Sequence, residues 1–204
     1  MASNSALVFT PAARCAQAER GSAAAYDRKF AAGFPDRVTP DLAAFLAGID
    51  TAFLGTVSAA GAPYIQHRGG PQGFIKVVDD QTLGFADYRG NRQYITLGNL
   101  SENSKAYIFV MDYVHRRRVK IWGEARVVAD DSALMQSLMP QGYKARPEQV
   151  ILFRISAWDT NCPQHIPQKF DAADVAAALA ERDERIEELE AQLAKLRDEP
   201  KPAA

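Results

Sequence analysis

The chain has 204 residues, 47% of them hydrophobic and 24% charged. That balance suits one globular domain with an extension and excludes a mostly disordered chain. Twenty-four Lys and Arg meet 25 Asp and Glu, and the formal net charge of −1 argues against a general nucleic-acid or polyanion binder.

Residues 1–40 are Ala-rich with scattered charges, and 22–34 fit a short helix before the turn framed by Pro35 and Pro40. Thr39-Pro40-Asp41 reads as a helix start, with Thr39 as cap and Pro40 in the first helical position. That helix runs from Asp41 to Gly48 and is expected to bury Leu42, Phe45 and Leu46.

The hydrophobic period then changes to two. Residues 51–58 and 63–68 form a predicted hairpin, followed by an irregular Gly-rich break at Gly69-Gly70-Pro71-Gln72-Gly73. A second hairpin spans 74–78 and 82–88, and a short helix is expected over 91–99, ended by Gly98. A third hairpin pairs 106–113 with 117–128, its second strand bending at Gly123. A helix over 130–139 and a last strand over 149–158 follow. Six or seven antiparallel strands with close turns suggest a closed barrel.

The tail has another pattern. Val175, Leu179, Arg182, Ile186, Leu189, Leu193 and Leu196 step alternately by four and three, which is a heptad seam with one charged position. The expected partner is a second copy of the chain; the alternative is that the stripe packs back on its own barrel. The charge divides at the same place. Residues 1–170 hold 19 basic and 15 acidic side chains, a net +4, and residues 171–204 hold 5 and 10, a net −5.

Two cysteines, Cys15 and Cys162, cannot build a disulfide framework, and they lack metal-ligand spacing with the three histidines. No basic segment precedes the short apolar run 6–9, and no stretch has the length of a membrane span. A cytoplasmic protein with neither membrane nor nucleic-acid partners is the expectation.

The basic excess is concentrated. Arg116-Arg117-Arg118 and Lys120 open one strand, Arg89 and Arg92 flank Gly90-Asn91 in the loop after another, and Arg68 and Lys76 flank the Gly-rich break. Converging in a small barrel, such groups make a phosphate site; left apart, they are solvated surface arginines. The Gly-rich break is neither a Walker loop nor a dinucleotide fingerprint, because no helix follows it.

Five stretches carry a family resemblance. They are PYIQHRGGP (63–71), GFIKV (73–77), GFADYRGNRQY (84–94), RRRVKIWG (116–123) and WDTNCPQHI (158–166). With them the chain resembles the pyridoxamine 5′-phosphate oxidase-like, FMN-binding split-barrel family, and in particular its oxidase-related flavin-nucleotide-binding branch. The likeness covers roughly residues 50 to 166. It implies a mainly β fold, a split barrel over 49–170; the local patterns described above add a helical segment over 1–48 packed on it and a coiled-coil helix with a frayed end over 171–204. It also implies FMN as cofactor, and a homodimer with flavin sites at the subunit interface.

Position by position, the resemblance implies a set of FMN contacts. Gln66 and Arg68 are joint candidates for the flavin-meeting Arg of the second strand, and Lys76 for the Lys near the ring. Phe85 and Ala86 match backbone positions beside the cofactor. The family's Ser-Arg-Lys phosphate clamp reads Gly90-Asn91-Arg92 here, with Arg89 able to supply the missing charge. Arg118 takes the place of a Gln near the ring, where a guanidinium would stabilise anionic reduced flavin. Trp158 fits a ring-covering position, and Asn161, Cys162 and His165 are candidates to line the pocket. The oxidase's substrate-binding Arg-x-His motif is absent, which makes pyridoxamine phosphate a poor expectation as substrate.

The expected function is therefore flavin-mediated redox on an unidentified small molecule. The flavin carries that chemistry, and no protein acid, base or nucleophile is obligatory. The alternatives are a flavin carrier or sensor without turnover, and a split barrel that binds haem or a deazaflavin.

Overall fold

Thr10 and Thr39 each precede a proline, and each caps a helix. In the computed structural model, which describes residues 4–160 and 163–198, the Thr10 hydroxyl accepts from Ala13 N–H and the Thr39 hydroxyl from Leu42 N–H, both at 3.2 Å. The prolines lose nothing at a position whose N–H has no helical partner. These caps open α2 (Pro11–Glu19) and α4 (Pro40–Ala47), with α1 (Ser5–Val8) before them and α3 (Ala23–Lys29) between. The single helix expected before residue 35 is thus replaced by three short ones. Alanine-rich α2 buries no residue, so it shows no apolar period to read. Leu42, Phe45 and Leu46 of α4 are buried as expected.

Seven strands form one antiparallel sheet: β1 (Thr51–Val57), β2 (Pro63–Gly69), β3 (Lys76–Val77), β4 (Thr82–Tyr88), β5 (Lys105–Asp112), β6 (Arg117–Val128) and β7 (Pro147–Thr160). Their order is β2-β1-β5-β6-β7-β4-β3. β2 and β3 are therefore edges, so the barrel is split, as the resemblance implies, and not closed as the strand pattern alone suggests. The strand predicted over 74–78 shrinks to two residues. Gly73 takes a left-handed φ of +71°, and Phe74 N–H turns back to the Pro71 carbonyl at 3.0 Å. Extended pairing cannot begin until that turn is complete.

Strict alternation fills the barrel. Ala52, Leu54, Ile108, Val110, Val119, Ile121, Ile151 and Phe153 point inward, are almost fully buried, and pack with α4. Each such side chain of Val, Leu, Ile or Phe size contributes about 1.5–3 kcal/mol of burial. β6 bends where expected, with a register shift between Trp122 and Gly123. A Cβ on Gly123 would sit 2.0 Å from the Arg154 carbonyl oxygen. α6 (Ser132–Leu138) covers the outer face of β4 and β7 through Leu138, Val150 and Leu152.

The helix expected over 91–99 lies later, as α5 (Ile95–Glu102), and Gly98 does not end it. Asn99 Nδ2 donates to Thr56 Oγ1 of β1 at 3.0 Å in a buried bond that pins α5 to the sheet.

The chain divides into two compact units. One comprises Met1–Asp112 with Arg117–Gln164, and the other Tyr113–Arg116 with His165–Ala204. In the second, Lys169 N–H and the Gln168 amide donate to the Tyr113 and Val114 carbonyls. It contains α7 (Ala172–Asp198), the predicted tail helix. Val175, Leu179, Ile186, Leu189 and Leu193 of the heptad stripe are 42–55% exposed, so the stripe is unpaired in the single chain. No helix among the described residues is long and apolar enough to cross a membrane.

Candidate functional site

The split in the sheet is lined by polar side chains. On β2, Gln66 and Arg68 share the inward face with their β1 partners Leu54 and Ala52. Asp87 of β4 and Gln149 of β7 are inward neighbours in register, two residues beyond Phe85 and Ile151. Arg68 Nη1 donates to Asp87 Oδ1, and Arg68 Nη2 to Gln66 Oε1 at 2.8 Å. Thr96 of α5 donates to the same Gln66 oxygen at 2.7 Å, and Gln149 Nε2 donates to Asp87 Oδ2 at 2.8 Å. One hydrogen-bonded chain thus runs from α5 through β2 and β4 to β7.

Most of this network is shielded from solvent. The Arg68 and Asp87 side chains are only 13% and 12% exposed. Arg68 Nε is the one buried side-chain polar atom without a partner among the described residues. The Gln66 carbonyl oxygen is engaged twice, so its amide NH2 is the group left to donate outward.

The network floors a cleft of about 50 Å3 whose rim is the loop after β4. A register shift between Asp87 and Tyr88 interrupts the β4–β7 ladder just before that loop, whose first residue, Arg89, still donates its N–H to the Arg146 carbonyl at 2.9 Å. Arg92 and Tyr94 both have left-handed backbone, with φ of 61° and 54°. For residues other than glycine this costs of order 1 kcal/mol or more each, and such strain concentrates at functional sites. Asn91 Oδ1 accepts from Gln93 N–H at 3.1 Å, which leaves the Asn91 amide NH2 free to donate. Arg92 Nε donates to the Tyr94 hydroxyl at 3.3 Å. Tyr94 is also the N-cap of α5, and no side chain caps that helix end. Thr96 and Leu97 of its first turn line the cleft, so unpaired helical N–H groups lie at its wall.

Charge in the cleft is partly spent. Asp87 offsets Arg68, and Glu148 lies 3.7 Å from Arg89 Nε. Tyr88 stays a neutral phenol, because burial foremost, and then Tyr143, push its pKa upward.

Of the expected contacts, Gln66, Arg68, Asn91 and Arg92 line this cleft. Arg89 stands at its edge beside Glu148. Phe85 and Ala86 are buried in β4, leading to Asp87. Lys76 pairs with Gly84 on the edge strand β3. Trp158 packs against the barrel core, with its indole N–H on the Arg37 carbonyl at 2.8 Å. Arg118 alternates with buried Val119, which puts it on the outer face of β6, opposite Met111. A single chain therefore does not bring Arg118 to Gln66 and Arg68. His165 is exposed with a left-handed φ of 62°, and Asn161 and Cys162 lie outside the described residues.

Asp87, Gln149 and Thr96 were not among the expected residues. For the two strand residues the signal was parity: Asp87 shares the inward phase of Phe85, and Gln149 that of Ile151; Thr96, on α5, had no such signal.

An antiparallel split barrel with a polar, arginine-bearing seam defines the class. The sequence pattern of the pyridoxamine 5′-phosphate oxidase family matches residues 38–162, more than half of the chain, and the protein belongs to that family. No curated protein matches it. Solved structures with a similar fold include HupZ of group A Streptococcus, at 19% identity over 65% of this chain and 99% of that one, with a TM-score of 0.49. An FMN-binding protein from Syntrophomonas wolfei is 13% identical over 72% of this chain and 97% of its own, with a TM-score of 0.48. The FAD binding protein from Mycobacterium smegmatis is 15% identical over 62% and 97%, with a TM-score of 0.41.

Proposed function

We propose that the protein is an FMN-binding oxidoreductase whose seam cleft takes the flavin 5′-phosphate. The observation that carries this reading is the convergence of Arg92, the Asn91 amide and the uncapped N-terminus of α5 on one small cleft. A phosphate needs several charge-assisted donors at one point, and helix N-termini supply them from the backbone. The unpartnered, buried Nε of Arg68 is a further donor in want of an acceptor. This donor set fits a phosphate.

A cleft of about 50 Å3 does not fit a tricyclic ring. The ring would therefore lie beyond the cleft and need a second surface to cover it. That favours a homodimer with the flavin between subunits. Arg118 faces outward on β6, so it would serve the ring from the partner subunit.

When bound, the flavin supplies the electron and hydride chemistry. The chain's own part is to bind and orient. Arg92, Asn91 and the first turn of α5 hold the phosphate. Asp87 and Gln66 fix the Arg68 guanidinium, and Gln66 keeps its amide NH2 toward the cleft. The exposed heptad stripe of α7 pairs with the stripe of the second copy.

The test is the spectrum and mass of what co-purifies with the protein, followed by reduction with NAD(P)H and reoxidation by an acceptor. The reading expects flavin mononucleotide that cycles. Bound flavin that never cycles would make the protein a carrier or sensor, and haem or a deazaflavin in its place would overturn the cofactor.

A further inference from the structure

The outer face of the sheet carries a second cleft, of about 660 Å3, between the N-terminal helices and β6–β7. One wall is aromatic: Phe9 packs edge-on against Tyr26 and Phe34, with ring centres 5.5 and 5.3 Å apart. The floor is charged. Lys29 Nζ lies 3.2 Å from one oxygen of Asp159, and Lys120 Nζ lies 3.5 Å from the other. Lys120 alternates with buried Val119 and Ile121, so it faces away from the seam cleft.

Two ammonium groups thus share one carboxylate. Asp27, on the same helix as Lys29, is already taken by Arg14 at 2.6 Å. One positive charge is left over beside an aromatic wall. Both lysines also stand over aromatic rings. Lys29 Nζ sits 4.7 Å over the Phe30 ring and Lys120 Nζ 5.3 Å over the Trp122 ring. Cation–π contact and the shared carboxylate limit the ordering that a ligand would otherwise have to impose. The volume lies within the range of small-molecule sites, which are mostly apolar with a few placed polar groups.

We propose that this cleft binds an aromatic monocarboxylate, its ring against Phe9, Tyr26 and Phe34 and its carboxylate bridging Lys29 and Lys120. The inference goes beyond the flavin reading, and because Lys120 lies two residues from Arg118 on the same face of β6, the titration is made on flavin-free protein.

Titration calorimetry of the full chain with naphthoate, and with naphthamide as the uncharged control, tests it. The expected result is saturable binding of naphthoate, with naphthamide clearly weaker. Lys29→Gln and Lys120→Gln should each weaken naphthoate by about tenfold, the effect of losing one charge-assisted hydrogen bond. Asp159→Asn should tighten it by removing the competing carboxylate. Arg92→Ala, in the other cleft, should leave it unchanged. Absence of saturable binding at millimolar naphthoate would overturn the proposal, and so would equal affinity for naphthamide. Loss of binding in Arg92→Ala would do the same by placing the ligand in the seam.

Discussion

Arg68 of β2 and Asp87 of β4 form a largely shielded ion pair across the split in the sheet, where no backbone ladder runs. Side chains thus join two strands that stand near opposite ends of the hydrogen-bonded order. The cost of removing one partner follows from burial. Asp87→Ala strands the Arg68 guanidinium at 13% exposure and should lower stability by about 3–5 kcal/mol, read by denaturant unfolding. An apolar pair, Arg68→Met with Asp87→Leu, should lose far less. An equal loss in both would show that the pair acts by shape rather than by charge.

Gly123 permits the close crossing of β6 and β7. A methyl group there meets the Arg154 carbonyl oxygen at 2.0 Å and the Phe153 ring at 2.6 Å. Backbone cannot swing aside as a side chain can. Gly123→Ala should therefore cost about 3 kcal/mol, the upper end of ordinary overpacking, measured as a shift in the unfolding midpoint.

Tyr107 sets an alkaline limit. Burial foremost pushes its phenol up to about 12; Arg118 works against that shift and Asp159 with it. The unfolded phenol titrates near 10. The folded state thus disfavours the phenolate. The contribution is complete below about pH 10 and is lost as pH rises toward about 12. Tyr107→Phe should flatten that part of the stability–pH curve, which unfolding measured across the window will show.

α7 presents its apolar stripe outward. Under the proposed dimer, removal of the chain after Phe170 should leave a dimeric barrel of lower stability, because the barrel supplies its own subunit contact. Sedimentation reads the outcome. A monomer would show that the helix alone pairs the chains.

Much of this fold was legible in local pattern. Period-two runs mark β1 and β6, Thr39-Pro40 marks the start of α4, and Gly123 marks the bend. The four-and-three spacing marks the exposed stripe of α7. Gln66 and Arg68 were placed on one face by counting, and they share it. Asp87 was different. Its inward phase was visible, but its pairing with Arg68 depends on the order in which strands join the sheet, and no local window contains that order. Arg118 shows the same limit in reverse: the family motif names it, and only the strand's phase shows that it faces away from Gln66.

The central claim is that the cleft at Arg92 and the first turn of α5 holds a flavin phosphate. The most direct measurement titrates FMN and riboflavin, which differ by that phosphate, into flavin-free wild-type protein and Arg92→Ala. The account predicts that FMN binds more tightly than riboflavin and that Arg92→Ala weakens FMN by about tenfold while leaving riboflavin unchanged. Equal affinity for the two ligands in the wild type, or an equal loss of both in the variant, would contradict it.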